Sequence, residues 1–233
     1  MLWKEPWEPE AVLALVGGIV AAFFFGDFAA ALLQRASVAG FRTDLSGGSV
    51  LLATLSFQGA TLALGTGFLK SQNLSWRDAL GATGWKRCLG LALAVLAVTV
   101  PVMFGLKYIS ELVLRHFHWR VEDQMAVTMI LSAKPWVRAY LVFFALVLAP
   151  MGEEFFFRGL LYSMGKSWGW PKTGWIGSSL LFALFHLNAP AFLPLFVLAL
   201  ALTWLYERTG GLLAPILAHG LFNLANLTLL LFG

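Results

Sequence analysis

Seven long apolar runs, near residues 11–33, 48–69, 88–110, 136–164, 173–189, 191–206 and 211–232, occupy most of this 233-residue chain and leave little from which a water-soluble fold could be built. A bilayer core about 30 Å thick asks for roughly 20 apolar residues per helix. Lipid offers no partner to an unpaired backbone group, so each run must close its own hydrogen bonds as a helix. The chain is 59% apolar and 12% charged, about half the roughly 25% charge of a soluble domain. The expected fold class is therefore all-α, a polytopic transmembrane helical bundle of about seven to eight spanning helices. The eighth arises if Pro150 and Gly152 break the fourth run, which is longer than one span needs, into two helices.

The segments between the runs set the organisation. MLWKEPWEPE carries more acid than base ahead of the first apolar run, unlike a cleavable signal peptide, so the first segment is expected to stay as a helix. Residues 70–87, with Trp76 and Trp85, read as a connection at the interface of water and lipid, and residues 111–135 as a second one holding a short amphipathic helix. These divide the chain into an N-terminal part, 1–124, with little intramembrane polarity, and a C-terminal part, 125–233, with a great deal. In the first three runs the only deep ionisable residue is Asp27, an interfacial or helix-paired carboxylate.

Charge and cysteine usage narrow the partners. The formal charge of +4 comes from Lys and Arg scattered at segment ends, where they meet lipid headgroups, so no nucleic acid is expected. These residues divide eight to seven between the two sides, a slight lean toward an inside N-terminus. The single cysteine, Cys88, has no intramolecular partner and no CxxC pair exists, so any metal would rest on His and carboxylate ligands.

Beyond residue 136 the polar residues gather as Glu153, Glu154, Arg158, His186, His219 and Asn223. A charge at the middle of a membrane helix costs on the order of 2.5–3.5 kcal/mol, so three together need partners or a task. Glu154 and Arg158 are four apart with the acid first, the favoured order for an ion pair on one face. Glu153 is turned about 100° away and left free to face a cavity. If Pro150 starts a new helix, Glu153 lies in its first turn, where the macrodipole favours the carboxylate and desolvation opposes it. His219 and Asn223 share a face, which Asn226 continues.

Each of these has a bland reading: an ion pair that fixes packing, a hydrogen-bonded core histidine, a polar stripe joining helices. Depth links them. At about 1.5 Å per residue from one side, Glu153, His186 and His219 lie roughly 18, 21 and 13 Å deep, three helices meeting near one layer.

A carboxylate and two imidazoles in a dry cavity suit hydrolysis of a peptide bond in either of two versions. In one, Glu153 activates water with His186 assisting, and His219 and Asn223 stabilise the oxyanion. In the other, Glu153, His186 and His219 ligate a divalent metal such as zinc. No HExxH is present, which tilts the choice toward the first.

EEFFFR fits EExxxR, FALFH fits FxxxH with Phe182 opening it, and HGLFN fits HxxxN, in that order on separate helices. Together they resemble the CPBP family of intramembrane proteases, which takes in the type II CAAX prenyl endopeptidases and the bacteriocin-processing and immunity proteins. The resemblance covers roughly residues 125–233. It implies an all-helical membrane fold, a membrane-embedded or membrane-associated protein or peptide as substrate, and catalytic residues at Glu153, Glu154, Arg158, His186, His219 and Asn223. Both glutamate-dependent and metal-dependent schemes are attached to that family. A short chain with no soluble domain suits a prokaryotic cell membrane. The readings from another class are a non-catalytic peptide-binding or immunity protein and a small proton-coupled transporter, the latter disfavoured because only the C-terminal half carries intramembrane polarity.

Overall fold

The computed structural model describes residues 7–38, 45–119, 121 and 125–232. Lys4, Arg42 and Arg120, which enter the charge balance between the two sides, and most of the MLWKEPWEPE segment lie outside them. Among the described residues there are nine helices and no strand. They are α1 (Pro9–Val38), α2 (Leu45–Ser71), α3 (Trp76–Leu80), α4 (Trp85–His116), α5 (Met125–Ser132), α6 (Pro135–Ser167), α7 (Pro171–Phe185), α8 (Ala189–Thr209) and α9 (Leu213–Phe232).

Five of these, α1, α4, α6, α8 and α9, are long and apolar enough to cross a membrane, which makes this a multi-pass membrane protein. The count is lower than the seven to eight expected from the apolar runs. The run at 173–189 becomes α7, whose 15 residues reach only about 22 Å, short of the bilayer core. The run at 48–69 becomes α2, a helix of 27 residues.

The run at 136–164 forms one helix, α6, rather than two. Pro150 does not break it, because the ladder widens on either side into π turns at Phe144–Leu148 and Phe155–Tyr162. Glu153 is therefore in mid-helix, and the first-turn macrodipole expected for it does not apply. The second polar connection carries the short helix expected of it, and the first carries one that was not expected. α5 lies in the second, and α3 in the first is closed by a capping box between Ser75 and Asp78. The same hydrogen bonds from Ser75 hold the Asp78 carboxyl below its ordinary range.

α6 and α8 form the centre. The α8 span is 56% buried and the α6 span 44%, against 17% for α4 and 22% for α1, whose outer faces meet lipid. Around α6 stand α2, α7 and α9; α8 packs on α4, α7 and α9, and α1 lies along α2. Between apolar helices in lipid, association depends on close packing rather than water exclusion. Here it is built from rings: Phe57 of α2, Phe156 and Phe157 of α6 and Phe185 of α7 form one edge-to-face and tilted cluster, with Phe23 of α1 against it.

Candidate active site

Glu154 and Arg158 are both fully buried, and Arg158 Nη1 donates to Glu154 Oε1 at 2.9 Å. The helical spacing that places them on one face thus produces the ion pair. The guanidinium is used on its other edges as well. Nη2 donates to Ala199 O at 2.9 Å, Nε reaches Thr203 Oγ1 at 3.4 Å, and the group lies 4.8 Å from the centre of the Phe182 ring. A buried arginine with donors satisfied and an aromatic face beneath it is a fixed charge.

The second partner of Glu154 is His219, from a helix 65 residues further on. Its Nδ1 lies 2.8 Å from Glu154 Oε1. An ionised carboxylate only accepts, so Nδ1 carries the hydrogen and the ring is locked with Nε2 on the far side. There Nε2 faces Glu153, 3.9 Å from its Oε2. Two adjacent glutamates thus take different parts: Glu154 is sealed between Arg158 and His219, while Glu153 meets the opposite edge of the same imidazole.

His186 ends α7. Its Nδ1 donates to Phe182 O at 2.8 Å, which leaves Nε2 of the neutral ring as an acceptor. The chain then turns sharply at Leu187, whose φ of 47° is unusual for a branched side chain, and Asn188 caps α8 by accepting from Ala191 N. The Phe182 ring stands between the two imidazoles, 4.8 Å from His186 and 5.6 Å from His219. The aromatic that opens the FALFH stretch thus packs against both rings.

Asn223, read either as an oxyanion donor or as part of a polar stripe joining helices, is engaged with backbone: its Nδ2 donates to Ala145 O of α6 at 2.8 Å. Asn226, next on the same stripe, bonds Phe222 O in its own helix.

One participant was missed in the sequence. Gln58, from α2, donates through Nε2 to Glu153 Oε1 at 3.3 Å. The approach depends on Gly152, where a Cβ would lie 3.2 Å from the Gln58 Cα. One turn earlier, Thr54 and Tyr140 hydroxyls meet at 2.9 Å and clamp the same pair of helices. The signal available was an amide in an apolar run, LSFQGATL, the criterion that drew attention to Asp27.

Gln58, Glu153, His186, His219 and Asn223 border one cavity of about 640 Å³. It continues along α4, where Val100, Met103, Phe104, Lys107 and Glu111 recur at helical spacing and end in charge. That face is about 16 Å long.

Among the described residues, no group of three His, Cys, Asp or Glu side chains is placed to hold an ion. Nδ1 of both histidines already donates, to Glu154 and to the Phe182 carbonyl. That leaves each Nε2 as the ring nitrogen open to a ligand, so it is the placing of the side chains, and not their tautomers, that does not form the three-ligand site expected as the alternative.

Fold and site together define a multi-pass helical membrane protein with a buried carboxylate and imidazole centre beside a cavity. Residues 135–225 are a type II CAAX prenyl endopeptidase Rce1-like family domain, and this family is one of peptidases. The chain matches no curated protein and no solved structure. The matched region contains the six residues singled out in the sequence; Gln58 and the α4 wall of the cavity lie outside it.

Proposed function

We propose that this protein is an intramembrane endopeptidase that hydrolyses a peptide bond of a membrane-associated protein or peptide, CAAX-type or related, with Glu153 activating the water. The observation that carries this is the placing of His219 between two carboxylates, Glu154 at 2.8 Å and Glu153 at 3.9 Å, beside the cavity. In the reaction Glu153 takes a proton from a water whose oxygen attacks the carbonyl carbon, while His186 Nε2 accepts that water's second hydrogen and orients it. The oxyanion faces the second amide hydrogen of Asn223 and, when His219 holds a second proton, its Nε2–H. Glu154 balances that positive charge and Arg158 holds Glu154 in place. The tetrahedral centre collapses with cleavage of the C–N bond, and the proton held by Glu153 passes to the leaving amine.

That Glu153, His186 and His219 are not gathered as a three-ligand group favours this metal-free version over the zinc version. A cavity face of about 16 Å accommodates an extended peptide of about five residues, which favours an unfolded segment over a folded substrate. The test is reconstitution of the full chain in liposomes with pooled prenylated and unprenylated CAAX peptides and membrane-inserted peptides, with products identified by mass spectrometry. A product that needs Glu153 supports the reading, and a product formed equally by Glu153→Gln refutes it.

In the same assay Gln58→Leu is expected to lower turnover about tenfold, because it removes a hydrogen bond to a charged group worth about 1.5–3 kcal/mol. Gly152→Val should lower it as well by forcing α2 off α6, and here the unfolding midpoint should fall too. Wild-type rates for Gln58→Leu would show that α2 only covers the site.

A further inference from the structure

Pro150 leaves a gap in the hydrogen-bond ladder of α6, and a side chain from α9 fills it. Just before the proline the ladder is in its wide register, with Ala149 N–H donating to Phe144 O five residues back. The carbonyl of Ala145 thereby loses its ordinary partner, the N–H of Ala149. Its partner in the wide register would be residue 150, which as proline has no N–H. Asn223 Nδ2 supplies the missing donor at 2.8 Å. The neighbouring carbonyl, Leu146 O, is the one that an N–H at residue 150 would reach in the ordinary α register, and it faces Gly220. A Cβ at Gly220 would come within 2.8 Å of that oxygen, so α9 can lie at this depth only because the residue there is glycine. Gly220 and Asn223, three apart on one face, thus seat α9 on the widened turn, and His219 beside them meets Glu154.

We infer that Pro150, Gly220 and Asn223 form a lock between α6 and α9, in which the asparagine amide replaces the hydrogen bond that the proline removes and so sets the position of His219. A carbonyl stranded in lipid has no water to turn to, and such gaps in membrane helices are closed by neighbouring helices. Asn223 is in this respect a positioning residue. The role goes beyond the oxyanion contact proposed for its second amide hydrogen, and it holds whether or not the site cleaves peptides.

The experiment is a double-mutant cycle on the purified full chain in detergent: Asn223→Leu, Pro150→Ala and the two combined, read by thermal unfolding. Imidazole nitrogen NMR of histidine-labelled protein, with four histidines to resolve, gives a second readout, the hydrogen on His219 Nδ1. Asn223→Leu alone is expected to lower the midpoint by about 3 °C or more and to shift the His219 signals. With Pro150→Ala, whose new N–H can close the ladder, the same substitution should cost less than half as much. Equal losses in both backgrounds would overturn the lock, as would an Asn223→Leu variant with unchanged midpoint and unchanged His219 signals. If Pro150→Ala gives no folded protein, Asn223→Gln decides. This variant keeps the donor, so a midpoint nearer the wild type than that of Asn223→Leu supports the lock, and an equal loss overturns it.

Discussion

Glu153→Gln is expected to reduce peptide cleavage by about three orders of magnitude while the unfolding midpoint stays close to that of the wild type. The substitution keeps the shape of the side chain and can keep the contact with Gln58, now amide to amide at the 3.3 Å position. What it removes is the ability to accept a proton, and a positioned general base is worth about 10²–10⁴ in rate. The two outcomes together make the result informative, since a stabilising role for Glu153 would show in the midpoint. Both glutamates have an Oε2 without a hydrogen-bond partner among the described residues, but Glu153 is suited to this separation because its Oε2 belongs to a residue lining the cavity and lies 3.9 Å from His219 Nε2. A buried acceptor held open beside a cavity is costly for structure alone. If Glu153→Gln cleaved at the wild-type rate, the water would have to be activated elsewhere. If it unfolded, Glu153 would be a structural residue and the bland reading of polar helix contacts would stand.

The parts of this site that were legible in the sequence are those governed by local geometry. The spacing of Glu154 and Arg158 predicts an ion pair because four residues return a helix to the same face, and the pair forms at 2.9 Å. The spacing of His219 and Asn223 likewise predicts a common helix. Which carboxylate His219 would meet was not legible, since the pairing with Glu154 joins residues 65 positions apart and depends on how far α9 slides along α6. Gln58 was hidden for the same reason, and its contact with Glu153 spans 95 positions. Pro150 shows a different limit. Read locally, a proline in a long apolar run ends a helix, but here α9 completes the interrupted ladder and α6 continues. The shortness of α7 was not legible either, because hydropathy records composition and not length: its residues are apolar enough, but the helix stops at His186 after 15 residues.

Glu154→Ala is expected to destabilise the protein by about 3–5 kcal/mol, the usual cost of removing one partner of a buried pair. At about 2–4 °C per kcal/mol for a chain of this size, the midpoint should fall by about 10 °C or more. Arg158 is fully buried and would keep its bonds to Ala199 and Thr203, but those oxygens are neutral and leave its charge uncompensated. His219 would lose its anchor in the same step, so cleavage should fall as well. The two effects separate when Arg158 is also removed. Glu154→Leu combined with Arg158→Leu leaves no stranded charge, and apolar replacement of a buried pair is often neutral or stabilising. The double variant should therefore recover most of the lost midpoint yet remain inactive, because nothing fixes the tautomer or position of His219. Recovery of both properties would mean that the pair acts only on folding. Recovery of neither would mean that the shape of the Arg158 side chain between α6 and α8, against the Phe182 ring at 4.8 Å, matters more than its charge.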